Sequence, residues 1–357
     1  MLKESRCLKV PKYLGEETLS LANMLGLTDK SLQIQKEKTG FLSIPLSREP
    51  NEKERSILKV HLLNFEIETC IFANKKQPEK TLAQNLAEEL PSQLLAYLPR
   101  ALDVVGDIAI IEMPIELEDH KNAVGEAILR SHRNVRVVLS KVGAVRGTFR
   151  LRDFEFIAGE HRTATLYKEY GCSYQVDVAK AYFSPRLSYE HQRVAALVKQ
   201  CETVVDLFAG VGPFAVLIAK TRPGVKVYAI DINPDAVDLL KKNARLNRVE
   251  NRVFPITGDA RSVINEKLRG SADRVIMNLP ETAIDFIDVA CKAVKPSGGM
   301  VHFYGFIKSL ETLEDLERRF SESVEKMGRK VVSFQHAKTV RNTAPYEYQA
   351  VLDTEIF

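Results

Sequence analysis

The sequence VVDLFAGVGPFAVLIAK, at positions 204–220, places a glycine-rich turn between an apolar strand and an apolar helix. The predicted strand ends at 206–208, and Gly210 and Gly212 form the turn that leads into the helix. Glycine allows the backbone to turn tightly there and to approach a bound ligand closely. We therefore predict that Asp206, Gly210 and Gly212 belong to a cofactor-binding site, although such turns also serve nucleotides and simple strand–helix packing.

Strand–helix alternation continues on the C-terminal side of this turn. Short β-rich runs occur in VKVYAID, VFPIT and DRVIMNLP, and the helical pattern PDAVDLLKKNARLN lies between the first two. A chain that alternates strands with helices builds a parallel sheet covered by helices on both faces. The fold class predicted for residues 188–357 is therefore α/β, a doubly wound, Rossmann-like domain.

Polar side chains follow these predicted strands. Asp231 ends the second strand, where its carboxylate can accept hydrogen bonds from ribose hydroxyls. The turn lacks the third glycine of GxGxxG, which argues against a dinucleotide, because a pyrophosphate needs a closer approach of the helix than an adenosyl group does. Asp259 of GDAR and Asn278 of NLP follow the third and fourth strands. This order of a glycine turn and strand-end Asp231, Asp259 and Asn278 resembles the class I methyltransferases that use S-adenosylmethionine (AdoMet). The alternative is a doubly wound domain in which the strand-end acids have no function.

Composition divides the rest of the chain. Residues 1–75 mix short apolar runs with charge and are predicted to form a small N-terminal domain. The polar stretch 76–92, with a short helix between Pro78 and Pro91, is predicted to be a linker. Paired strands around a helix at about 119–131 predict an α+β RNA-binding module over 93–187. Twelve Lys and Arg against six Asp and Glu over 130–193 predict contact with a polyanion, or else a solvated basic face.

The overall composition excludes several classes of protein. Hydrophobic residues make up 45% of the 357-residue chain and charged residues 27%, which is enough apolar material for buried cores. No apolar stretch is long enough to span a membrane, and the polar N-terminus lacks a signal sequence, so we expect a cytoplasmic protein. The five cysteines occur without CxxC or zinc-ligand spacing, which predicts reduced, mostly buried thiols and no metal site.

The tetrapeptide after the fourth strand narrows the choice of methylated atom. Enzymes that methylate exocyclic amines often carry Asn/Asp-Pro-Pro-aromatic at this point, whereas here Asn278, Leu279 and Pro280 are followed by Glu281, without a stacking ring. No cysteine lies nearby to attack a pyrimidine carbon, since Cys291 falls within a predicted helix further on. A ring nitrogen or a ring carbon is therefore the favoured target.

Several stretches together resemble the archaeal and eukaryotic-type tRNA (guanine-37 N1)-methyltransferase family over nearly the whole chain. They are GTFRLRDFEFIAGE (147–160), YFSPRLSYEHQR (182–193), DLFAGVGPF (206–214), AIDINPDAV, GDAR, NLP and RNTAPYEYQAVLD. The resemblance implies AdoMet-dependent methylation of N1 of the guanosine next to the anticodon, with tRNA as partner and the base flipped out of its loop. It also implies that the N-terminal domain contacts the body of the tRNA. We expect the chain to act as a monomer.

The resemblance further implies roles for individual residues. Glu190 matches the general base that removes the N1 proton, and Arg150 matches the guanidinium that stabilises charge on O6. The residues matched to cofactor contacts are His191, Asp231, Ile232, Asp259, Ala260 and Asn278. Those matched to the target pocket are Tyr182, Arg186 and Pro280.

Each of these residues also has an ordinary structural interpretation. Glu190 and Arg193 could form a surface ion pair, Arg150 could be a solvated strand residue, and His191 could cap a helix. For the whole chain, one alternative is a wyosine-pathway transferase that moves the aminocarboxypropyl arm of AdoMet, or that methylates a carbon of the wyosine precursor. A non-catalytic tRNA-binding protein is the other.

Overall fold

The computed structural model describes residues 2–37, 40–62, 64–75, 81–99, 101–308 and 311–357. The chain forms two compact units, Met1–Glu79 and Lys80–Phe357. The first corresponds to the predicted N-terminal domain, and the second holds both the predicted α+β module and the predicted methyltransferase domain. Within the ranges just given, no helix has the length and apolar character needed to cross a membrane.

The first unit is built on an antiparallel sheet. Its elements are β1 (Leu2–Pro11), α1 (Gly15–Met24), β2 (Gln35–Lys36), β3 (Phe41–Pro45), α2 (Glu52–His61) and β4 (Glu66–Ala73). The strand order β2-β3-β1-β4 puts the long β1 inside the sheet, where Leu8 and Val10 supply its buried face. A capping box between Asn51 and Glu54 begins α2, because each side chain accepts a hydrogen bond from the other's backbone amide.

Strand pairing in this unit brings together two thiols that the sequence keeps far apart. Cys7 of β1 lies opposite Glu68 of β4, and its Sγ is 3.2 Å from that of Cys70. Burial raises the pKa of Cys7 to about 12. The Cys7, Glu68 and Cys70 ligand atoms lie within 4.8 Å of one another, although Lys9 already forms an ion pair with Glu68. Spacing along the sequence could not show this group, since it depends on the register of β1 and β4.

The second unit begins with a mixed sheet and two helices. Their bounds are α3 (Leu82–Leu86), β5 (Asp103–Val105), β6 (Ile108–Ile111), α4 (Lys121–Ser131), β7 (Val137–Arg146) and β8 (Leu151–Gly159). The strands lie in the order β5-β6-β7-β8, and only the β6–β7 pair within this sheet is parallel.

In the second half of the predicted linker, 76–92, the structure differs from the prediction. Residues 76–80 lie outside the described residues, but α3 follows, and Leu86 and Leu90 are buried in one core with α4. The prediction of a short helix is confirmed. Residues 81–92 nevertheless pack as part of the second unit, because two leucines in a mostly polar stretch are enough to anchor it.

The remainder of the chain forms a hairpin and a seven-stranded sheet. The elements are β9 (Ala164–Glu169), β10 (Cys172–Asp177), α5 (Ser188–Leu197), β11 (Thr203–Asp206), α6 (Pro213–Thr221), β12 (Lys226–Asp231), α7 (Pro234–Leu246), β13 (Val253–Thr257), α8 (Ala260–Val263), β14 (Arg274–Met277), α9 (Ile287–Ala293), β15 (Gly299–Lys308), α10 (Leu313–Glu325), β16 (Val331–Ala344) and β17 (Glu347–Ile356). Strands β11 to β15 are parallel, and β17 lies antiparallel between β15 and β16. The predicted doubly wound α/β sheet is confirmed.

Apolar cores cover both faces of this sheet. Successive residues of β11 point to opposite faces, so that Val204 belongs to one core and Val205 to the other. The hairpin β9–β10 belongs to the first core through Tyr174, and Asn243 of α7 receives a hydrogen bond from the Gln175 amide (2.7 Å). Residues 164–177, which the sequence assigns to the α+β module, therefore pack against helices α6 and α7 of the methyltransferase domain.

Candidate active site

A crevice opens at the carboxyl ends of β11, β12 and β14, where the strand order β13-β12-β11-β14-β15-β17-β16 reverses direction along the chain. Doubly wound sheets bind ligands at such reversal points. Ten of the predicted site residues line this crevice: Arg150, Tyr182, His191, Gly210, Asp231, Ile232, Asp259, Ala260, Asn278 and Pro280. Four others, Asp206, Gly212, Arg186 and Glu190, are not on its wall.

The two glycines of the turn have different roles. Both take positive φ, +54° at Gly210 and +89° at Gly212, a region that favours glycine. A Cβ on Gly212 would lie 2.0 Å from Cδ1 of Leu240, so this glycine lets α6 pack closely on α7. The amide of Gly210 lies on the crevice wall and donates to Oδ2 of Asp231 at 2.7 Å. Gly210 therefore shapes the ligand site, and Gly212 shapes the packing beneath it.

Polar groups stand at three successive strand ends. The Asp231 carboxylate is held by the amides of Gly210 and Asn233, and its burial raises its pKa. Asp259 caps α8 by accepting from the Arg261 amide at 2.8 Å. The amide oxygen of Asn278 accepts from Gln349 at 3.4 Å. Apolar Ile232 and Ala260 lie on the same wall between these polar groups, an arrangement that suits a nucleoside with a flat base and a hydroxylated sugar.

Arg150 has the most unusual environment on the crevice wall. Its φ is +55°, in the left-handed region that non-glycine residues seldom adopt. Nη2 donates to Oε1 of Glu281 at 3.0 Å, and the guanidinium lies 5.5 Å from the centre of the Tyr182 ring. Nε and Nη1 are buried without a hydrogen-bond partner among the described residues. Buried donors are nearly always paired, so these two atoms are available to donate to a ligand in the crevice.

A second arginine on the wall was missed by the sequence analysis. Arg341 of β16 donates to Oε1 of Gln349 (2.8 Å), to Oγ of Ser184 (3.0 Å) and towards the Tyr182 hydroxyl (3.5 Å). Its only signal in the sequence is the stretch RNTAPYEY, which resembles the family but contains no recognisable chemical motif. The predicted Arg186 lies in an adjoining groove, where its Nε donates to Asp103 at 2.6 Å.

Helix α5 places Glu190 and His191 side by side with different surroundings. His191 lines the crevice, packs edge-on against Phe214, and shares a hydrogen bond of 2.8 Å with Glu169. Glu190 is also buried, but its carboxylate lies behind the wall and accepts hydrogen bonds from Arg193 and Tyr304. The interpretation of Glu190 and Arg193 as an exposed surface pair is therefore wrong, because only 5% and 13% of these side chains are exposed.

Asp206, at the end of β11, is sealed below the crevice. Its side chain is fully buried, Oδ1 accepts from the Phe208 amide at 3.3 Å, and Oδ2 has no partner among the described residues. Burial raises the pKa of this carboxyl to about 7. The strand-end position made Asp206 a candidate ligand from sequence, whereas its side chain faces the interior of the turn.

Comparisons with known proteins agree with this geometry. Residues 165–332 match the TRM5/TYW2 methyltransferase domain, and residues 82–163 match the TYW2 N-terminal domain. The tRNA (guanine(37)-N(1))-methyltransferase Trm5b of Pyrococcus abyssi is 36% identical over 98% of each chain. A solved complex of aTrm5 and tRNALeu has a TM-score of 0.68 at 34% identity, over 98% of this chain and 99% of the other. The M. jannaschii TYW2 structure in complex with AdoMet has a TM-score of 0.56 at 28% identity, over 72% of this chain and 99% of the other. The crevice and the full-length similarity together show that this chain belongs to the TRM5/TYW2 family of methyltransferases.

Proposed function

We infer that this chain transfers the methyl group of AdoMet to N1 of guanosine 37 in tRNA, next to the anticodon. The observation that carries the inference is the Arg150 guanidinium, which brings buried, unpartnered Nε and Nη1 donors to the crevice. When N1 loses its proton, negative charge develops on O6, and fixed donors aimed at that oxygen stabilise the transition state. Full-length similarity to a tRNA (guanine(37)-N(1))-methyltransferase supports the same reaction.

The residues at the strand ends fit AdoMet. Asp231 is held in place by two backbone amides and has the acceptor capacity to bind ribose hydroxyls. Ile232 and Ala260 offer apolar surfaces to an adenine ring, and Asp259 stands at its edge. Bound AdoMet supplies an electrophilic methyl group on a sulfonium. The absence of phosphates from its adenosyl group agrees with a turn that lacks the third glycine.

We propose that Glu190 takes the N1 proton and Arg150 stabilises O6. Removing the proton leaves a lone pair on N1, which forms the new N–C bond while the C–S bond breaks and its electrons return to sulfur. Glu190 is buried behind the crevice wall, one residue before His191, which lines it. Among the described residues, its Oε1 accepts a hydrogen bond only from Nε of Arg193, at 3.1 Å. Glu281, ion-paired with Arg150, is the competing candidate for the base.

We also propose that the anticodon loop enters through the groove beside the crevice. This groove contains the cations Lys141, Arg152 and Arg186, and it shares Arg150 and Arg341 with the crevice. Stacked bases cannot reach the crevice, so guanosine 37 must be flipped out. The N-terminal unit would contact the tRNA body, and the protein would act in the cytoplasm as a monomer without a metal ion.

Paired substitutions test the reaction and its base together. Single-turnover methylation of unmodified tRNA at saturating AdoMet should give 1-methylguanosine at position 37, identified by mass spectrometry of nucleosides. Glu190→Gln should slow this step by about 100-fold or more. Glu281→Gln is the matched control and should remain within about tenfold of wild type, since the Glu281 side chain is 55% exposed and its ion pair with Arg150 is therefore weak. AdoMet affinity should be unchanged in both variants.

Other outcomes would change the conclusion. A large loss in Glu281→Gln with Glu190→Gln near wild type would make Glu281 the base. Transfer of carboxyl label but not methyl label from AdoMet would indicate aminocarboxypropyl transfer. Methylation of a carbon of the wyosine precursor, with no reaction on guanosine, would also refute N1 methylation.

A further inference from the structure

A chain of buried charged groups runs from Glu190 away from the crevice, along the face of the sheet next to α5. It involves α5, β14, β15, β17 and the segment before β11. Its members are Glu190, Arg193, Asp353, His302, Arg274 and Glu202, and their side chains are between 0% and 13% exposed. Burying charged groups is costly even when they are paired. A chain of this length next to the proposed reaction site therefore suggests a function beyond stability.

At the crevice end, the two oxygens of Glu190 are held unequally. Oε2 accepts from the Tyr304 hydroxyl at 2.8 Å and from Nη2 and Nε of Arg193 at 2.8 and 3.0 Å. Within the part of the chain that the structure describes, Oε1 accepts only from Nε of Arg193, at 3.1 Å. Tyr304 is fully buried, and its ring packs near Phe214, which lines the crevice. Oε1 is therefore the oxygen with more remaining acceptor capacity.

Further from the crevice, the hydrogen bonds fix the protonation of His302. Arg274 donates from Nη1 to Nε2 of His302 at 2.7 Å, since a guanidinium can only donate. The proton of His302 therefore sits on Nδ1 and is donated to Oδ1 of Asp353 at 2.6 Å. Burial lowers the pKa of His302, in agreement with a neutral ring. Arg193 bridges Asp353 to Glu190, and Arg274 is paired with Glu202.

The chain of groups is one proton short of neutrality. Three carboxylates face two guanidiniums, and the neutral imidazole adds no charge.

We propose that Tyr304 is a positioning residue for the general base: acting with Arg193, it fixes Oε2 of Glu190 and leaves Oε1 to receive the N1 proton. This inference rests on the proposed function, in which Glu190 is the base. Tyr304 does not touch the reacting atoms, so its effect must pass through Glu190. The charges behind Arg193 hold that arginine in place.

The titratable groups around Glu190 determine in which direction the pH–rate profile should move when the Tyr304 hydroxyl is removed. They are Arg193 and His191 on α5, Tyr304 on β15 and Asp353 on β17, followed by His302 and Arg274 further along. Burial and the facing Glu190 carboxylate raise the pKa of Tyr304, so its hydroxyl remains a donor throughout the working range. Removing this donor withdraws a hydrogen bond that favours the ionised carboxylate. The acid limb of the pH–rate profile should then move to higher pH.

Tyr304→Phe tests the proposal because it removes the hydroxyl and keeps the buried ring. Single-turnover rates of tRNA methylation should be measured against pH at saturating AdoMet. We expect the acid limb to move upward by about one pH unit, so that the rate at a given pH on that limb falls about tenfold. Tyr174→Phe is the matched control, since it removes another fully buried hydroxyl, bonded to the Pro213 carbonyl, and should leave the limb in place.

A double variant separates positioning from a general loss of stability. If Tyr304 acts through Glu190, adding Tyr304→Phe to Glu190→Gln should cause no further loss of rate. Multiplicative losses, or an acid limb that does not move in Tyr304→Phe, would overturn the inference while leaving the proposed function intact. A wild-type rate in Glu190→Gln would instead show that Glu190 is not the base, and it would refute this inference as well.

Discussion

Replacing Arg150 with asparagine should separate catalysis from stability. The left-handed backbone of Arg150 costs a non-glycine residue about 1–2 kcal/mol, and asparagine adopts it more readily. Each buried, unpartnered donor costs about 1–3 kcal/mol. The ion pair that the variant loses has a partner, Glu281, whose side chain is 55% exposed, so it contributes about 0–1 kcal/mol. The free energy of unfolding should therefore be no lower than that of wild type, because the costs that the variant removes exceed the weak ion pair that it loses.

The same variant should be a poor catalyst. Losing one donor to a developing oxyanion typically costs about 2.7–4 kcal/mol, which lowers the rate by about 100- to 1000-fold. AdoMet affinity should not change, because the proposed cofactor contacts lie at the ends of β11 to β14 and not at Arg150. The two expectations together describe a protein that is at least as stable as wild type and almost inactive.

The assay pairs urea denaturation with single-turnover methylation of tRNA. Arg152→Asn is the control, because it removes the same charge two residues away, in the adjoining groove. It should weaken tRNA binding, more strongly at low salt, and leave the rate at saturating tRNA near that of wild type. An Arg150→Asn rate within threefold of wild type, or a marked loss of stability in that variant, would contradict the role given to the unpartnered guanidinium.

Three further substitutions probe the floor of the crevice. Because burial raises the pKa of Asp206 to about 7, the folded chain binds more protons than the unfolded chain between about pH 4 and 7, so stability falls as pH rises through that window. Asp206→Asn cannot ionise and should be more stable than wild type by about 4 kcal/mol at pH 8 but by only about 2 kcal/mol at pH 5, a difference that melting curves at both values would show. Gly212→Ala should lower the melting temperature more than Gly210→Ala, since only the first forces a Cβ to 2.0 Å from Leu240. Gly210→Ala should instead weaken AdoMet binding in calorimetry, because its Cβ would point into open crevice; equal losses of stability would contradict this distinction.

The cofactor side of the crevice could be predicted from sequence because its chemistry is local. Gly210, Asp231, Asp259 and Asn278 each follow a predicted strand directly. Parallel strands end at one edge of a sheet, so a sequence that alternates strands and helices predicts that these residues converge there. The structure places all four on the same wall. Gly212 and Asp206 belong to the same motif but face inward, and a glycine pattern cannot say which of its members contacts the ligand and which contacts the next helix.

The proton-transfer side could not be predicted in the same way, because its contacts join distant parts of the chain. Glu190 meets Tyr304 across 114 residues, and Arg193 meets Asp353 across 160. Arg341 reaches the crevice from a strand that shows no motif of its own. The resemblance selected Glu190 and Arg150 by position, but it carried no information on which groups hold them.

The antiparallel pairing of β17 with β15 fixes the distance between the buried Asp353 carboxylate and the crevice. Its register against β15 pairs His302 with Asp353, Tyr304 with Val351 and Phe306 with Gln349. Phe306 and Gln349 line the crevice, whereas Asp353 lies four residues below Gln349 on the same strand face, about 13 Å away along the strand. A shift of one residue would turn Asp353 to the opposite face and leave Arg193 with Glu190 as its sole partner among these groups. The support of the proposed base therefore depends on the pairing of two strands whose own sequences contain no catalytic motif.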